Sequence, residues 1–314
     1  MVEGHNVNAR GRVLISGGSG MIGRALTAML AEGDWEVVVL SRSPEKVAGL
    51  PAGARAVGWD GRTAEGWGEL VDGAAGIVNL AGRNIAGGRW TAAEKERLRS
   101  SRLEPSRAIV EAIRAAATKP SFLMQASAVG FYGGDTGDAL ITEESPPGDD
   151  FLAELSVEWE ASTEPVEALG VRRVLLRTGI VLSLEGGALP KMAMPFRFGV
   201  GGSLGDGEQY MPWIHLNDEA EAIRFLMEHP EAAGPFNLSA PKPVTNDELS
   251  RVLARVLHRP NLLRVPAFAL KLAMGEMSRL LLGGQRAVPR ALEDLDFPFR
   301  FSDLESALEN LLAD

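Results

Sequence analysis

The 314-residue sequence predicts an α/β fold, a doubly wound parallel sheet followed by a smaller, mostly helical C-terminal part. Three observations carry this. First, short β-branched runs ("RVLISG", "EVVVLS", "ARAVGWD", "GIVNLAG", "SFLMQASA", "RRVLLRTGIVLS") alternate with helical patterns around 21–32, 91–117 and 151–169. Runs that are apolar on both faces and separated by helices belong to a sheet covered on both sides. Second, a glycine-rich turn joins the first run to the first helix. Third, the texture changes after about residue 183.

Each later element follows from local signals. The stretch "GGALPKMAMPFRFGVGGSLGDGEQYMPWIH" is rich in Gly and Pro with recurring apolar residues, so it reads as a long functional loop. A helix near 217–229, a strand "GPFNLSA" and a helix after "TNDE" come next, with Thr245 or Asn246 as its cap. A helical segment starts at 266. The expected division is 11–183, joined by a returning strand near 234–240, and 184–314, a substrate-cleft loop region with a small C-terminal domain.

Composition narrows the function. The chain is 45% hydrophobic and 24% charged, as globular proteins are. Its net charge of −10, with no basic block, speaks against nucleic acid or an anionic membrane as partner. The absence of cysteine removes disulfides, thiolate metal sites and cysteine nucleophiles. Lys271, Glu276 and Arg279 interrupt the most apolar segment, and the polar start lacks a leader's apolar run. The expectation is a cytoplasmic, unanchored protein. His5, His215, His229 and His258 lie far apart in sequence, so no metal site is expected.

Gly17, Gly20 and Gly23 stand directly between a strand and a helix, with Ser19, Met21 and Ile22 completing the turn. Gly17 permits the tight turn, Gly20 lets the backbone approach a pyrophosphate, and Gly23 allows close helix–strand packing. Phosphates then rest on the helix N-terminus, where free N–H groups and the dipole favour anions. The turn is that of a Rossmann dinucleotide site. An acidic residue ending the second strand would select NAD, but "EVVVL" runs into Ser41 and Arg42. A hydroxyl beside a guanidinium suits a 2′-phosphate, so the expected cofactor is NADP.

The glycine turn, "SRS", "NLAG", "SAVGFYG", "LRTGIVL", "PWIHLND" and "FNLSAP" together resemble the extended short-chain dehydrogenase/reductase superfamily. "GGALPKM…PFRFGVGG", "QYMPWIH" and "GQRAVPRALEDLDFPFRF" are similar, more narrowly, to its NADP-binding sugar-nucleotide-epimerase-like subfamily. The resemblance spans about 12–312 and implies cofactor contacts from Ser41, Arg42, Leu80, Ala81 and Gly82. Arg102 and Val181 would lie along the same groove. Asp60 in "VGWD" touches the adenine or forms a turn before Gly61.

Working members of the superfamily usually carry a Tyr and a Lys four residues apart on the helix after "SAVGFYG". Here Phe151 and Leu155 stand at those places, and no Tyr-x-x-x-Lys occurs anywhere in the chain. A tyrosine near pKa 10 becomes a base near neutrality only with about 4 kcal/mol of help, which the lysine normally contributes. Ser127, at the end of the fifth strand, as carbonyl polariser and Tyr132 as proton donor would rebuild the relay. The plainer alternative is a strand-end hydroxyl and a packed aromatic. For substrate, Lys191 and Arg197 would meet an anionic group, or are solvated charges, while Tyr210, Trp213 and His215 would line the cleft. The bland alternatives there are a core tryptophan and a histidine bonded to Asp218.

Two functions follow. One is an NADP(H)-dependent oxidoreductase or epimerase acting on a small carbonyl or hydroxyl substrate. The other is a catalytically silent NADP(H) sensor. Either would act as a monomer or homodimer.

Overall fold

The computed structural model describes residues 10–312; His5 lies outside them. β1 (Arg12–Ser16) leads through the glycine turn into α1 (Met21–Glu32), followed by β2 (Glu36–Ser41), β3 (Ala54–Gly58) and β4 (Gly76–Asn79). Then come α2 (Ala92–Ala115), β5 (Phe122–Ala128), the short β6 (Leu140–Ile141), α3 (Phe151–Ala161) and β7 (Arg172–Thr178). Beyond lie β8 (Ile180–Leu182), α4 (Leu189–Arg197), β9 (Tyr210–Met211), β10 (Trp213–His215) and α5 (Leu216–Glu228). β11 (Gly234–Leu238), β12 (Val244–Thr245) and α6 (Asn246–Val256) follow. The chain finishes with α7 (Ala267–Met274), α8 (Arg279–Leu282), β13 (Arg286–Ala287), α9 (Arg290–Asp294) and α10 (Leu304–Leu312).

Seven parallel strands form the main sheet in the order β11-β7-β5-β4-β1-β2-β3, a Rossmann-like arrangement. Because successive side chains of a strand point to opposite faces, each strand feeds two cores. Val13, Ile15, Val37 and Val39 meet Leu26 and Leu30 of α1 and Ile223 and Leu226 of α5. Leu14, Val38 and Leu40 meet Ala108, Ile109 and Ile113 of α2, together with Trp67. The chain winds outward from β1 to β2 and β3 and then continues from β4 on the other side of β1, so the crevice lies at the carboxyl ends of β1 and β4, where the glycine turn sits.

Two expectations change. The segment 183–215 is not a bare loop: it contains α4, with Pro190 in its first turn, β9 and β10. The helix expected over 151–169 stops at Ala161 and gives way to a 3-10 turn, Glu164–Leu169, because Pro165 lacks the N–H a helix needs. Thr245 caps α6 by accepting from the Glu248 N–H at 3.2 Å. No helix among the described residues is long and apolar enough to cross a membrane.

The C-terminal segment closes over the sheet ends through contacts only glycine permits. A Cβ on Gly283 would lie 2.2 Å from the Gly134 carbonyl oxygen, and one on Gly284 1.8 Å from that of Tyr210. β13 pairs in parallel with β6, and the Thr136 N–H donates to the Gly284 carbonyl at 3.0 Å. The result is a strap, 275–287, laid across the carboxyl ends of β5 and β7.

Candidate functional site

The glycine turn is shaped by crowding from below. Gly17 has φ +69°, and a Cβ there would lie 2.5 Å from the Leu80 carbonyl oxygen. A Cβ on Gly23 would lie 2.5 Å from the Gly17 carbonyl oxygen, so α1 rests on the turn itself. Gly20 is the N-cap of α1 and offers no side-chain cap, and no acidic residue occupies the first turn. Arg24 is the first residue to bond back along the helix, to Gly20 at 2.9 Å. The N–H groups of Met21, Ile22 and Gly23 thus precede the helical ladder, at the positive end of the dipole. This cradle fits a diphosphate.

Beneath it lies a neutral polar network that sequence reading missed. The Ser16 hydroxyl donates to Asn79 Oδ1 at 2.5 Å, and Asn79 Nδ2 donates to Ser106 and Gln125 at 3.1 and 2.8 Å. The Ala81 N–H also reaches Asn79 Oδ1, at 3.3 Å. All four side chains are fully buried. The signal for them was faint: isolated polar residues inside strands that otherwise read as apolar.

At the end of β2 the Ser41 hydroxyl accepts from the Ser43 N–H, and Arg42 is exposed with no ion pair among the described residues. An unpaired guanidinium at this edge suits a 2′-phosphate. The Asp60 carboxylate accepts from the Arg62 and Thr63 N–H groups at 2.8 and 2.9 Å, which holds it below the usual carboxylate range. Its side chain forms the turn before Gly61, the second of the two readings.

Arg102 sits beside Gly82, where an added Cβ would come within 3.5 Å of its guanidinium carbon. It donates to the Leu98 and Arg83 carbonyls at 3.0 and 3.1 Å and lies 4.9 Å from the Trp159 ring centre. No carboxylate pairs with it among the described residues, and burial pushes it down to about 10. The Val181 side chain belongs to the core with Ile214 and Leu216, leaving only its backbone for a groove.

Next to Arg102 opens a cavity of about 220 Å³, bounded by Val129 and Gly130 after β5, Thr178 and Gly179 at the end of β7, Tyr210, and the strap at Leu280 and Gln285. Leu155 forms part of its wall, and Phe151 packs edge-on against Trp90 with centroids 5.2 Å apart. Phe151 and Leu155 therefore present apolar surface here. A second cavity of about 480 Å³ shares Gly134, Arg279 and Gly283 with the first and carries Asp149, Asp150 and Lys271.

The structure corrects the pairing of Ser127 and Tyr132 as polariser and proton donor. They are 4% and 5% exposed, and their hydroxyls are committed elsewhere. Ser127 donates to Glu160 at 2.6 Å, and Glu160 is clasped by Arg177 Nε and Nη2 at 2.9 and 3.0 Å. Arg177 Nη1 donates to the Tyr132 oxygen at 3.0 Å, and Tyr132 donates to Asn237 Oδ1 at 2.7 Å. Burial, partly offset by Arg177, pushes Tyr132 up to about 12, away from any proton exchange near neutrality.

The proposed substrate residues divide. Tyr210 lines the cavity, with the Arg286 guanidinium 5.2 Å from its ring centre. Trp213 is fully buried and donates to the Lys242 carbonyl, so it is core and not cleft. His215 is also a correction. It is 2% exposed, accepts the Asn217 N–H at 3.0 Å as the cap of α5, and stacks on Phe301 at 3.9 Å. Burial pushes it down to about 4, so it is neutral, and Asp218 is not its partner but receives the Arg300 and Phe301 N–H groups. Lys191 and Arg197 are exposed on α4 and line neither cavity, because that helix turns its apolar side, Leu189, Ala193 and Phe196, inward. No cluster of potential metal ligands occurs among the described residues.

Comparison with known proteins gives the following. The model of the NAD-dependent epimerase/dehydratase family matches residues 13–239, and that of a domain of unknown function, DUF1731, matches 265–311. The chain is 41% identical over 297 residues to the epimerase family protein Mb2239 of Mycobacterium bovis, covering 94% of this chain and 96% of the relative. It is 38% identical over 311 residues to the epimerase family protein YfhF of Bacillus subtilis, covering 96% and 98%. Among solved structures it is similar to the human epimerase family protein SDR39U1 (isoform 2) with NADPH, at a TM-score of 0.83 and 32% identity, over 96% of this chain and 98% of that one.

Proposed function

The chain belongs to the NAD-dependent epimerase/dehydratase family, and on that premise we propose that it is an NADP(H)-dependent oxidoreductase or epimerase of the short-chain dehydrogenase/reductase type. Its substrate is a small carbonyl or hydroxyl compound, taken up in the cytoplasm by a monomer or homodimer. The observation that carries this reading is the uncapped N-terminus of α1 behind a glycine cradle, with Arg42 exposed after β2 and without an ion pair among the described residues. The human relative solved with NADPH supports the same cofactor.

Gly17, Ser19, Gly20, Met21, Ile22 and Gly23 would hold the phosphates, Ser41 and Arg42 the 2′-phosphate, and Leu80, Ala81, Gly82 and Arg102 the wall beyond. The bound nicotinamide supplies or accepts a hydride. The chain's part is to orient substrate between Thr178 and Tyr210 and to exclude water with Leu155, Trp159 and Leu280. Residues 11–183 with β11 carry the cofactor, and 184–314 shape the substrate cleft. A silent NADP(H) sensor is the second reading, favoured by Phe151, Leu155 and the committed hydroxyls of Ser127 and Tyr132. Fluorescence titration with NADPH, then NADPH consumption against fractionated small metabolites, separates them. Oxidation that depends on one fraction supports the enzyme; tight binding with no turnover in any fraction supports the sensor; no binding refutes both.

A further inference from the structure

Glu219, on the first turn of α5, has no role in any of this, yet its surroundings are unusual. It is 1% exposed, and Oε2 has no hydrogen-bond partner. Its one bond comes from the Thr178 hydroxyl, which donates to Oε1 at 2.8 Å. Thr178 ends β7 and lines the cavity beside Gly179. A carboxyl group is thus buried one hydroxyl away from the cleft.

No cation faces it. Arg177, adjacent on β7, points to the other side of the sheet and clasps Glu160. Arg172 reaches the far end of α5, donating to the Leu226 and Met227 carbonyls. On α1, Arg24 is exposed and lies 3.5 Å from Glu185. On its own helix Asp218 is bound to the 300–301 backbone and Glu221 pairs with Arg224, while His215 at the cap is neutral. β8 and β10 bring no charged side chain against it, only apolar residues and His215. Burial alone pushes Glu219 up to about 8, opposed only by the Thr178 bond. A lone buried carboxylate is costly, so the group holds a proton unless a positive charge arrives.

Resting on the NADP(H) reading above, we infer that Glu219 and Thr178 couple one proton to the redox state of the cofactor. The carboxyl keeps its proton when the reduced, uncharged nicotinamide is bound and gives it up when the oxidised, cationic ring is bound. In the exchange the Thr178 hydroxyl, which in the structure donates to Oε1, turns to give its proton to the cleft and takes up the Glu219 proton as that carboxyl O–H bond breaks. The acceptor there is water, or the substrate oxygen left with an extra electron pair by hydride addition. Glu219 thereby stands in for the missing Tyr and Lys as the store of the proton, with Thr178 as the group that touches the cleft.

The test needs no substrate. NADP⁺ and NADPH are each titrated calorimetrically between pH 6 and 8, in buffers of different ionisation enthalpy to count protons. The 2′-phosphate is common to both ligands and cancels in the comparison. The expected result is release of close to one proton with NADP⁺ and none in excess of the phosphate with NADPH. The ratio of NADP⁺ to NADPH affinity then climbs by up to about tenfold per pH unit. Glu219→Gln flattens that ratio while still binding NADPH; Thr178→Val, which removes the one bond that lowers Glu219, moves the climb to higher pH, and Thr178→Ser returns it. Equal proton counts for the two ligands in the unaltered protein would overturn the inference, as would a ratio that stays pH-dependent in Glu219→Gln. If neither ligand binds the unaltered protein, the NADP(H) reading fails and takes this one with it.

Discussion

Two buried polar networks hold the two ends of the cleft, and they are built differently. Under the glycine turn, Ser16, Asn79, Ser106 and Gln125 are neutral, and their bonds fix backbone while leaving the turn's own N–H groups free. Under the other end, Ser127, Glu160, Arg177 and Tyr132 are knit around an ion pair, and the hydroxyls that chemistry would need are used up inside the knot. A neutral network positions a binding surface cheaply. A charged one locks β5, α3 and β7 together and keeps its hydroxyls inside it.

The sharpest way to break this contrast is Arg177→Ala. Leaving Glu160 buried and unpaired is expected to cost about 3–5 kcal/mol in urea unfolding. Arg177→Met with Glu160→Leu should recover most of it, since removing both charges removes the desolvation problem. A loss under 1 kcal/mol for Arg177→Ala would mean the pair is solvated and the contrast is false.

Acid should expose the next largest effect. Folding depresses His215 from about 6.5 to about 4, so the folded state favours the neutral ring. That contribution is complete above pH 6.5 and is lost as pH falls toward 4, with a full size of about 3 kcal/mol. The His215→Gln variant should lose less stability than the unaltered protein over that window, measured as the difference of their denaturation midpoints. Parallel pH curves would show that the ring is not buried neutral.

At the cofactor end, Arg42→Ala is expected to weaken NADPH about 10–100-fold, the worth of a charge-assisted contact, and to leave NADH unchanged. Equal losses for both would place Arg42 away from the 2′-phosphate. The smallest effect expected is from Tyr132→Phe: about 1 kcal/mol of stability, with NADPH affinity unaltered. Abolished turnover at intact stability would instead return Tyr132 to the chemistry.

Legibility followed the range of the interactions. Strand–helix alternation, the turn of Gly17, Gly20 and Gly23 and the Thr245 cap all depend on neighbours within a few residues, so the parallel sheet and the glycine turn were legible before any packing. The apolar character of Phe151 and Leu155, and the loss of a Tyr–Lys relay, were equally plain. What lies further apart was not. Ser127 meets Glu160 across 33 residues and Tyr132 meets Asn237 across 105, so whether those hydroxyls face the cleft or the core depends on which way strands and helices pack. The same holds for Trp213 and His215, polar-tipped rings that only the packing of β10 and α5 turned inward, and for Glu219, which reads as an ordinary surface residue of a helix. Local sequence sets backbone shape and charge. Desolvation, which decides whether a carboxyl is a solvated ornament or a proton store, is set by tertiary structure alone.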